Sequence, residues 1–305
     1  MTAAQTAPAL ITGDQLVEMM GLIRDSDTVE LKLTIPEGAQ RSAIQALRMD
    51  PLEAQIRQVF FFDTPDLALQ SAGVVVRARR VQRKGDDSTV KLRPVVPHDL
   101  PEDLRADAAF NVEVDAMPGG FVCSGTLKGI PRQGSILGHV HEGTPIRKIF
   151  SKAQRAFFAE HAPEGVALDD LRVLGPIFVL KLKWEPENFK RRLVAEVWLY
   201  PDGSRILELS TRCATNEAFE VAAEARGFLT ARGVELGGEQ QTKTRTALEF
   251  FAKELADAQS SEQAGRAPAT SSAGAVAARA SGCSSVTASR RAAATSSAPI
   301  PNARW

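Results

Sequence analysis

Seven short stretches of the chain alternate polar and apolar residues with a period of two, the mark of a strand whose faces meet different surroundings. In 28–34, Val29, Leu31 and Leu33 oppose Thr28, Glu30 and Lys32. The same split recurs with Arg77 and Arg79 against Val74, Val76 and Ala78, and with Thr89, Lys91 and Arg93 against Val90 and Leu92. Asn111, Glu113 and Asp115 oppose Val112 and Val114, while Lys181 and Lys183 oppose Phe178, Leu180 and Leu182. Arg192, Glu196 and Trp198 oppose Leu193, Ala195, Val197 and Leu199, and Glu208 and Ser210 oppose Leu207 and Leu209. Pro201, Asp202 and Gly203 make the turn of a hairpin between the last two. Apolar residues three and four apart predict helices after Thr12, over 151–160, 216–232 and 244–255, and Thr64-Pro65 up to Gly73 reads as a capped helix. Residues 97–107 and 119–145 read as long loops.

Ordinary wet sheet faces mix hydroxyls, amides and charge, whereas these are mostly charged and their reverse sides strongly apolar. A sheet that buries its apolar face under helices and still gathers this charge curls into a closed antiparallel β-barrel, an α+β fold with a charged lumen and helices packed outside. The inward set then holds eight bases (Lys32, Arg77, Arg79, Lys91, Arg93, Lys181, Lys183, Arg192) and five acids (Glu30, Glu113, Asp115, Glu196, Glu208). Arginine forks and lysine ammoniums in that excess match a polyanion such as a phosphate chain. The acids would repel it unless a hard divalent cation bridges carboxylate and phosphate oxygens.

Composition confines that chemistry to a local site. Over 305 residues, Lys plus Arg equals Asp plus Glu at 37 each, so no global basic field exists for nucleic acid or an anionic membrane. From Ala256 onward the chain is mainly Ala and Ser, with five arginines against Asp257 and Glu262. Residues 1–255 are therefore expected to form one domain, and 256–305 a disordered tail. No apolar run approaches the ~18 residues of a membrane span, and Asp14 and Glu18 interrupt any signal-like stretch, so a soluble cytoplasmic protein is expected. Three scattered cysteines exclude a disulfide framework and a structural zinc site. His139 and His141 have no partner at metal spacing, and the glycines of 119–143 match no phosphate loop. A G-x-S-x-G elbow is likewise absent. The turn Gln240 to Thr246 before the last helix could meet a ligand phosphate at the helix N-terminus, but reads better as a solvated cationic cap.

Several of these stretches, in order, resemble the CYTH domain of the triphosphate tunnel metalloenzyme family. They are Val29-Glu30-Leu31-Lys32, Phe61-Phe62-Asp63-Thr64-Pro65-Asp66-Leu67, Val76-Arg77-Ala78-Arg79, Thr89-Val90-Lys91-Leu92-Arg93 and Val112-Glu113-Val114-Asp115, with a looser match from Lys181 to Ser210. The resemblance implies a tunnel in which bases hold a triphosphate-bearing small molecule and glutamates hold Mg²⁺ or Mn²⁺. Its relatives include inorganic and thiamine triphosphatases and class IV adenylate cyclases. The implied mechanism is metal-assisted attack of water on a terminal phosphoryl group. Carried onto this chain, Glu30 and Lys32 are catalytic, and Arg77, Arg79, Lys91, Arg93, Lys181, Lys183 and Arg192 bind substrate. Glu30, Glu113, Asp115, Glu196 and Glu208 hold the metal, Glu208 being preferred to Glu220 because Glu220 falls in a helical pattern.

The chain departs from the family pattern at its opening motif, E-x-E-x-K, where Thr28 replaces the first glutamate. A later E-x-E reads Glu196-Val197-Trp198. Three readings stay open on the sequence: a triphosphatase, a non-catalytic polyphosphate or nucleotide-binding module, and a cyclase-like enzyme.

Overall fold

The computed structural model describes residues 12–237, 240 and 243–266. In chain order the elements are α1 (Gly13–Arg24), β1 (Thr28–Ile35), α2 (Gln40–Ala46), β2 (Gln55–Asp63), α3 (Ala68–Ser71), β3 (Val74–Val81), β4 (Asp87–Leu92), α4 (Glu102–Ala106) and β5 (Phe110–Met117). Then come β6 (Gly120–Gly129), α5 (Ser135–His141), α6 (Lys152–His161), β7 (Arg172–Trp184), β8 (Leu193–Leu199), β9 (Arg205–Cys213), α7 (Ala218–Ala231) and α8 (Lys243–Arg266). The strands close into a barrel in the order β1-β5-β6-β4-β3-β2-β7-β8-β9. The expected closed barrel is found, with one topological difference from an all-antiparallel sheet: β1 and β5 pair in parallel. Among the described residues no helix is long and apolar enough to cross a membrane. α8 runs to Arg266, so residues 256–266 of the stretch anticipated as a disordered tail are helical, and the rest of it lies outside the described residues.

Two strands lie where alternation gave no signal. β2 carries Val59, Phe60, Phe61 and Phe62, all buried, because its inward side chains meet apolar neighbours instead of charge. β6 and α5 occupy a stretch read as loop, since small and hydroxylic residues such as Cys123, Ser124, Gly125 and Thr126 line the strand. Gly125 is required there: a Cβ would lie 2.6 Å from the Phe110 ring. The helix expected from Thr64 to Gly73 shortens to α3. The Asp63 carboxylate, at the end of β2, accepts from the Thr64, Leu69 and Gln70 N–H groups at 2.7, 2.9 and 3.0 Å, so it caps that turn. Ser151 and Gln154 form the reciprocal cap that starts α6.

Outward apolar residues pack under helices in two groups. One joins α1, α5 and α6 to the outer faces of β3–β6, through Phe110, Phe150, Phe157 and Phe158. The other lays α2 and α7 against Leu33, Leu193, Ala195, Leu207 and Leu209. A third cluster is internal. Val59, Phe61, Ile177, Val179, Trp198 and Ile206 face inward at one end of the lumen, and Ala247, Leu248 and Phe251 of α8 pack on them. Burial of a leucine or phenylalanine there contributes about 1.5–3 kcal/mol. α8 thereby covers one end of the barrel; at the other, where β1 begins and β9 ends, Lys183 and Arg212 are exposed among the described residues.

Candidate functional site

Pleating projects Glu30 and Lys32 from β1, and Glu113 and Asp115 from β5, toward the lumen. Parallel register sets Thr28 beside Glu113 and Glu30 beside Asp115, while β9 sets Arg212 opposite Glu30. Glu30, Glu113 and Asp115 offer oxygens that all lie within 4.8 Å of one another. Asp115 is wholly buried and meets three bases: Lys32 at 2.7 Å, Arg93 at 3.0 Å and Lys91 at 3.8 Å. Burial would raise its pKa, but these charges outweigh burial and hold it at about 2. Lys32, also 3.2 Å from Glu30, is raised for the reciprocal reason: its carboxylate neighbours overcome the desolvation that would lower it. Lys91 goes the other way. Its burial outweighs the pull of Asp115 and pushes it down to about 8. Burial raises Glu113, and the neighbouring Glu30 charge adds to it.

Glu196 and Glu208 form a second group, facing each other across β8 and β9. The Lys243 ammonium, from the first residue of α8, lies 2.5 Å from Glu196 and 2.7 Å from Glu208. Lys181 reaches Glu196 at 2.6 Å, and the Trp198 Nε1–H donates to the same carboxylate at 3.2 Å. Burial opposes ionisation of Glu196, but Lys243 and Lys181 hold its pKa well below the usual range. The cationic turn read as solvated therefore delivers a buried lysine into the lumen, 5.2 Å from the Trp198 ring centroid. Trp198 itself stacks on Phe61 at 6.2 Å and fills the covered end.

The remaining wall is basic. Arg79 forks onto Asp87 at 2.7 and 2.9 Å, and Arg57 donates to Gln55. The Arg77 side chain is half-buried, and its Nε is shut away from solvent with no hydrogen-bond partner. Burial, with Arg79 nearby, pushes its guanidinium down to about 9, which leaves it cationic at neutral pH. A buried guanidinium so placed is costly unless an anion accompanies it. Lys183 lies at the open rim, exposed. Arg192 differs from its expected position: it precedes β8, is 63% exposed, and pairs with Glu185 at 3.2 Å. Glu208 faces the lumen from β9, whereas Glu220 lies exposed on α7.

The five acids expected to hold metal thus separate into a trio and a pair. The trio fits a hard divalent cation by donor chemistry, three carboxylates at short mutual range with the Thr28 hydroxyl donating to Glu113 at 3.3 Å. Within it, Asp115 is committed to three bases, so Glu30 and Glu113 are the available donors. The pair is bridged by Lys243. The sequence reading missed Arg57, Arg212 and Lys243. Arg57 sits in a strand without alternation, Arg212 follows the hydroxyl pair Ser210 and Thr211, and Lys243 reaches the lumen only because α8 returns to the barrel.

A closed nine-stranded barrel with helices outside and a charged lumen is the architecture expected from the motifs. It fits a CYTH domain. No family model and no curated protein matches the chain. Among solved structures, a Bacillus halodurans protein named "putative adenylate cyclase" is 13% identical, with a TM-score of 0.48, over 72% of this chain and 97% of that one. A Hippeastrum protein, a "putative adenylyl cyclase" described as having a dominant triphosphatase activity, is 21% identical, with a TM-score of 0.47, over 70% and 91%. A Vibrio parahaemolyticus "putative adenylate cyclase" is 10% identical, with a TM-score of 0.36, over 72% and 97%.

Proposed function

We propose that the CYTH-type tunnel binds a triphosphate chain end-on and hydrolyses it with a divalent cation. The observation that carries this reading is Arg77, half-buried with its Nε shut away from solvent and unpartnered, inside a lumen whose bases outnumber its acids. A phosphate chain supplies the missing acceptors, with Arg77, Arg79, Lys91, Arg93 and Lys181 as its donors and Lys183 and Arg192 at the rim. Because α8 covers the far end, the chain enters from the side of Thr28 and Arg212, and any organic group it carries stays at the rim.

Glu30 and Glu113 are the residues that would hold Mg²⁺ or Mn²⁺, which when bound neutralises phosphate charge and acidifies water. Lys32, fixed between Glu30 and Asp115, presents a permanent positive charge to the nonbridging oxygens. Asp115 keeps Lys32, Lys91 and Arg93 converged on one point, which prepays the ordering of three flexible side chains. Lys243 positions Glu196 and Glu208 and closes the apolar end against water.

A second reading, a binding module without turnover, rests on Thr28 and on the internal ion pair each of the five acids makes. Phosphate release from tripolyphosphate, ATP and thiamine triphosphate, each with Mg²⁺, Mn²⁺ or EDTA, separates the two. Metal-dependent release that Glu30→Gln abolishes, with tripolyphosphate binding kept, establishes the enzyme. Binding without release in any condition establishes the module, and cyclic AMP formation from ATP would establish a cyclase. No binding of tripolyphosphate at all would overturn the tunnel reading.

A further inference from the structure

The three acids at the open end are held by cations of unequal freedom. Lys32, on Glu30 and Asp115, has a side chain only 16% exposed, and Lys91 and Arg93, on Asp115, are each 22% exposed. Arg212 is 56% exposed, yet its Nη2 lies 2.5 Å from Glu113 Oε2 and 3.8 Å from Glu30 Oε2. It therefore spans the two carboxylates that remain for a metal once Asp115 is committed. Two neutral groups donate to the same carboxylates: Ser210 Oγ–H to the second Glu30 oxygen, Oε1, at 3.0 Å, and Thr28 Oγ1–H at 3.3 Å to the Glu113 Oε2 that Arg212 also contacts. A divalent ion that takes Glu30 and Glu113 competes with Arg212 for them, since a dication and a guanidinium held at contact distance on the same oxygens repel each other.

We propose that Arg212 is a tethered cation that competes with divalent metal for Glu30 and Glu113 and so sets the metal affinity of the tunnel. This rests on reading Glu30 and Glu113 as metal ligands. Displacement is feasible for Arg212 because its side chain can swing into solvent without leaving a buried charge. The trapped Lys32 cannot do so. A phosphate chain arriving at the same end offers the released guanidinium a new bidentate partner. Metal and phosphate then favour each other through one side chain, a coupling that is reciprocal by thermodynamic necessity. Thr28 fits this arrangement, because its neutral hydroxyl shares the Glu113 oxygen with Arg212 and adds no carboxylate to the site.

The test is direct titration of Mn²⁺, read as loss of the free-ion electron paramagnetic resonance signal, on the full chain without substrate. Arg212→Gln should bind Mn²⁺ about fivefold more tightly than the native protein, the order expected on removing a half-exposed competing charge. Adding Glu30→Gln to that variant should abolish the gain. Arg212→Lys, which retains a cation and guards against a folding artefact, should stay within about twofold of native. With tripolyphosphate present, the advantage of Arg212→Gln should shrink. Unchanged Mn²⁺ affinity in Arg212→Gln, with a native affinity that Glu30→Gln weakens, would overturn the role of Arg212 and leave the metal reading standing. Failure of both native and Arg212→Gln proteins to take up Mn²⁺ at millimolar concentration, with tripolyphosphate still bound, would overturn the metal reading as well.

Discussion

Replacing Lys91 by methionine should make the protein more stable and a worse binder, because its charge is kept in the lumen at a cost to folding. The ammonium is 22% exposed and 3.8 Å from Asp115, too long a contact to offset its desolvation. The balance lowers its pKa from 10.5 to about 8, and that figure already includes attraction by Asp115 and Glu113 and repulsion by Lys32 and Arg93. At about 1.4 kcal/mol per pH unit the difference corresponds to at most ~3 kcal/mol. We expect ~1–3 kcal/mol, or ~3–10 °C in melting temperature for a domain of this size. Methionine keeps the aliphatic stem and discards the charge, and Asp115 retains Lys32 and Arg93. Below about pH 8 Lys91 is protonated in both folded and unfolded chains, so the native protein bears the whole cost there. As pH rises from about 8 toward 10.5, the folded chain loses the proton first and the cost fades. Urea unfolding followed by tryptophan fluorescence at pH 7 and 10.5 reads both effects. Calorimetry with tripolyphosphate at pH 7 should show at least tenfold weaker binding. A variant no more stable than native at pH 7, or a gain that does not shrink by pH 10.5, would refute the reasoning.

Lys243→Met should destabilise by about 3 kcal/mol, because it leaves Glu196 and Glu208 side by side with Lys181 alone to compensate them; a chemical denaturation midpoint checks this. Arg77→Met should leave the melting temperature unchanged or raised, yet weaken tripolyphosphate binding at least tenfold in calorimetry, since no protein acceptor loses a partner at its Nε. Asp63→Ala should cost about 2 kcal/mol in urea unfolding, as the Thr64 N–H and the Leu69 and Gln70 N–H groups of α3 lose their acceptor.

What the sequence made legible followed from contrast between neighbouring residues. Glu30, Lys32, Arg77 and Asp115 sit in strands whose reverse sides are buried under helices, so alternation revealed both the barrel and its charged interior. Contrast vanished in β2, where α8 makes the inward Val59 and Phe61 as buried as the outward Phe60 and Phe62. It vanished again in β6, whose residues are too small to mark a face. The parallel pairing of β1 with β5 is a decision about chain path, and period-two patterning is silent on strand direction. Lys243 was unreadable for a different reason: a lysine ahead of an amphipathic helix looks the same whether the helix ends in water or returns to a lumen. Its burial depends on Glu196 and Glu208, which are remote in sequence.

The seam between β1 and β9 joins the beginning of the barrel to its end, with Ser210 bonded to Glu30 across 180 positions of chain. Closing so long a loop is entropically late, so β1 and β9 remain open edges until nearly everything between them has found its place. Glu30 and Lys32 lie on one side of that seam and Ser210 and Arg212 on the other, with β5 completing the trio. The part of the ligand site that spans the seam should thus assemble late in folding and loosen when the seam opens. An ion or phosphate that spans β1, β5 and β9 would act as a clasp, and its occupancy should be felt first as slower exchange of the amide hydrogens along 28–35 and 205–213.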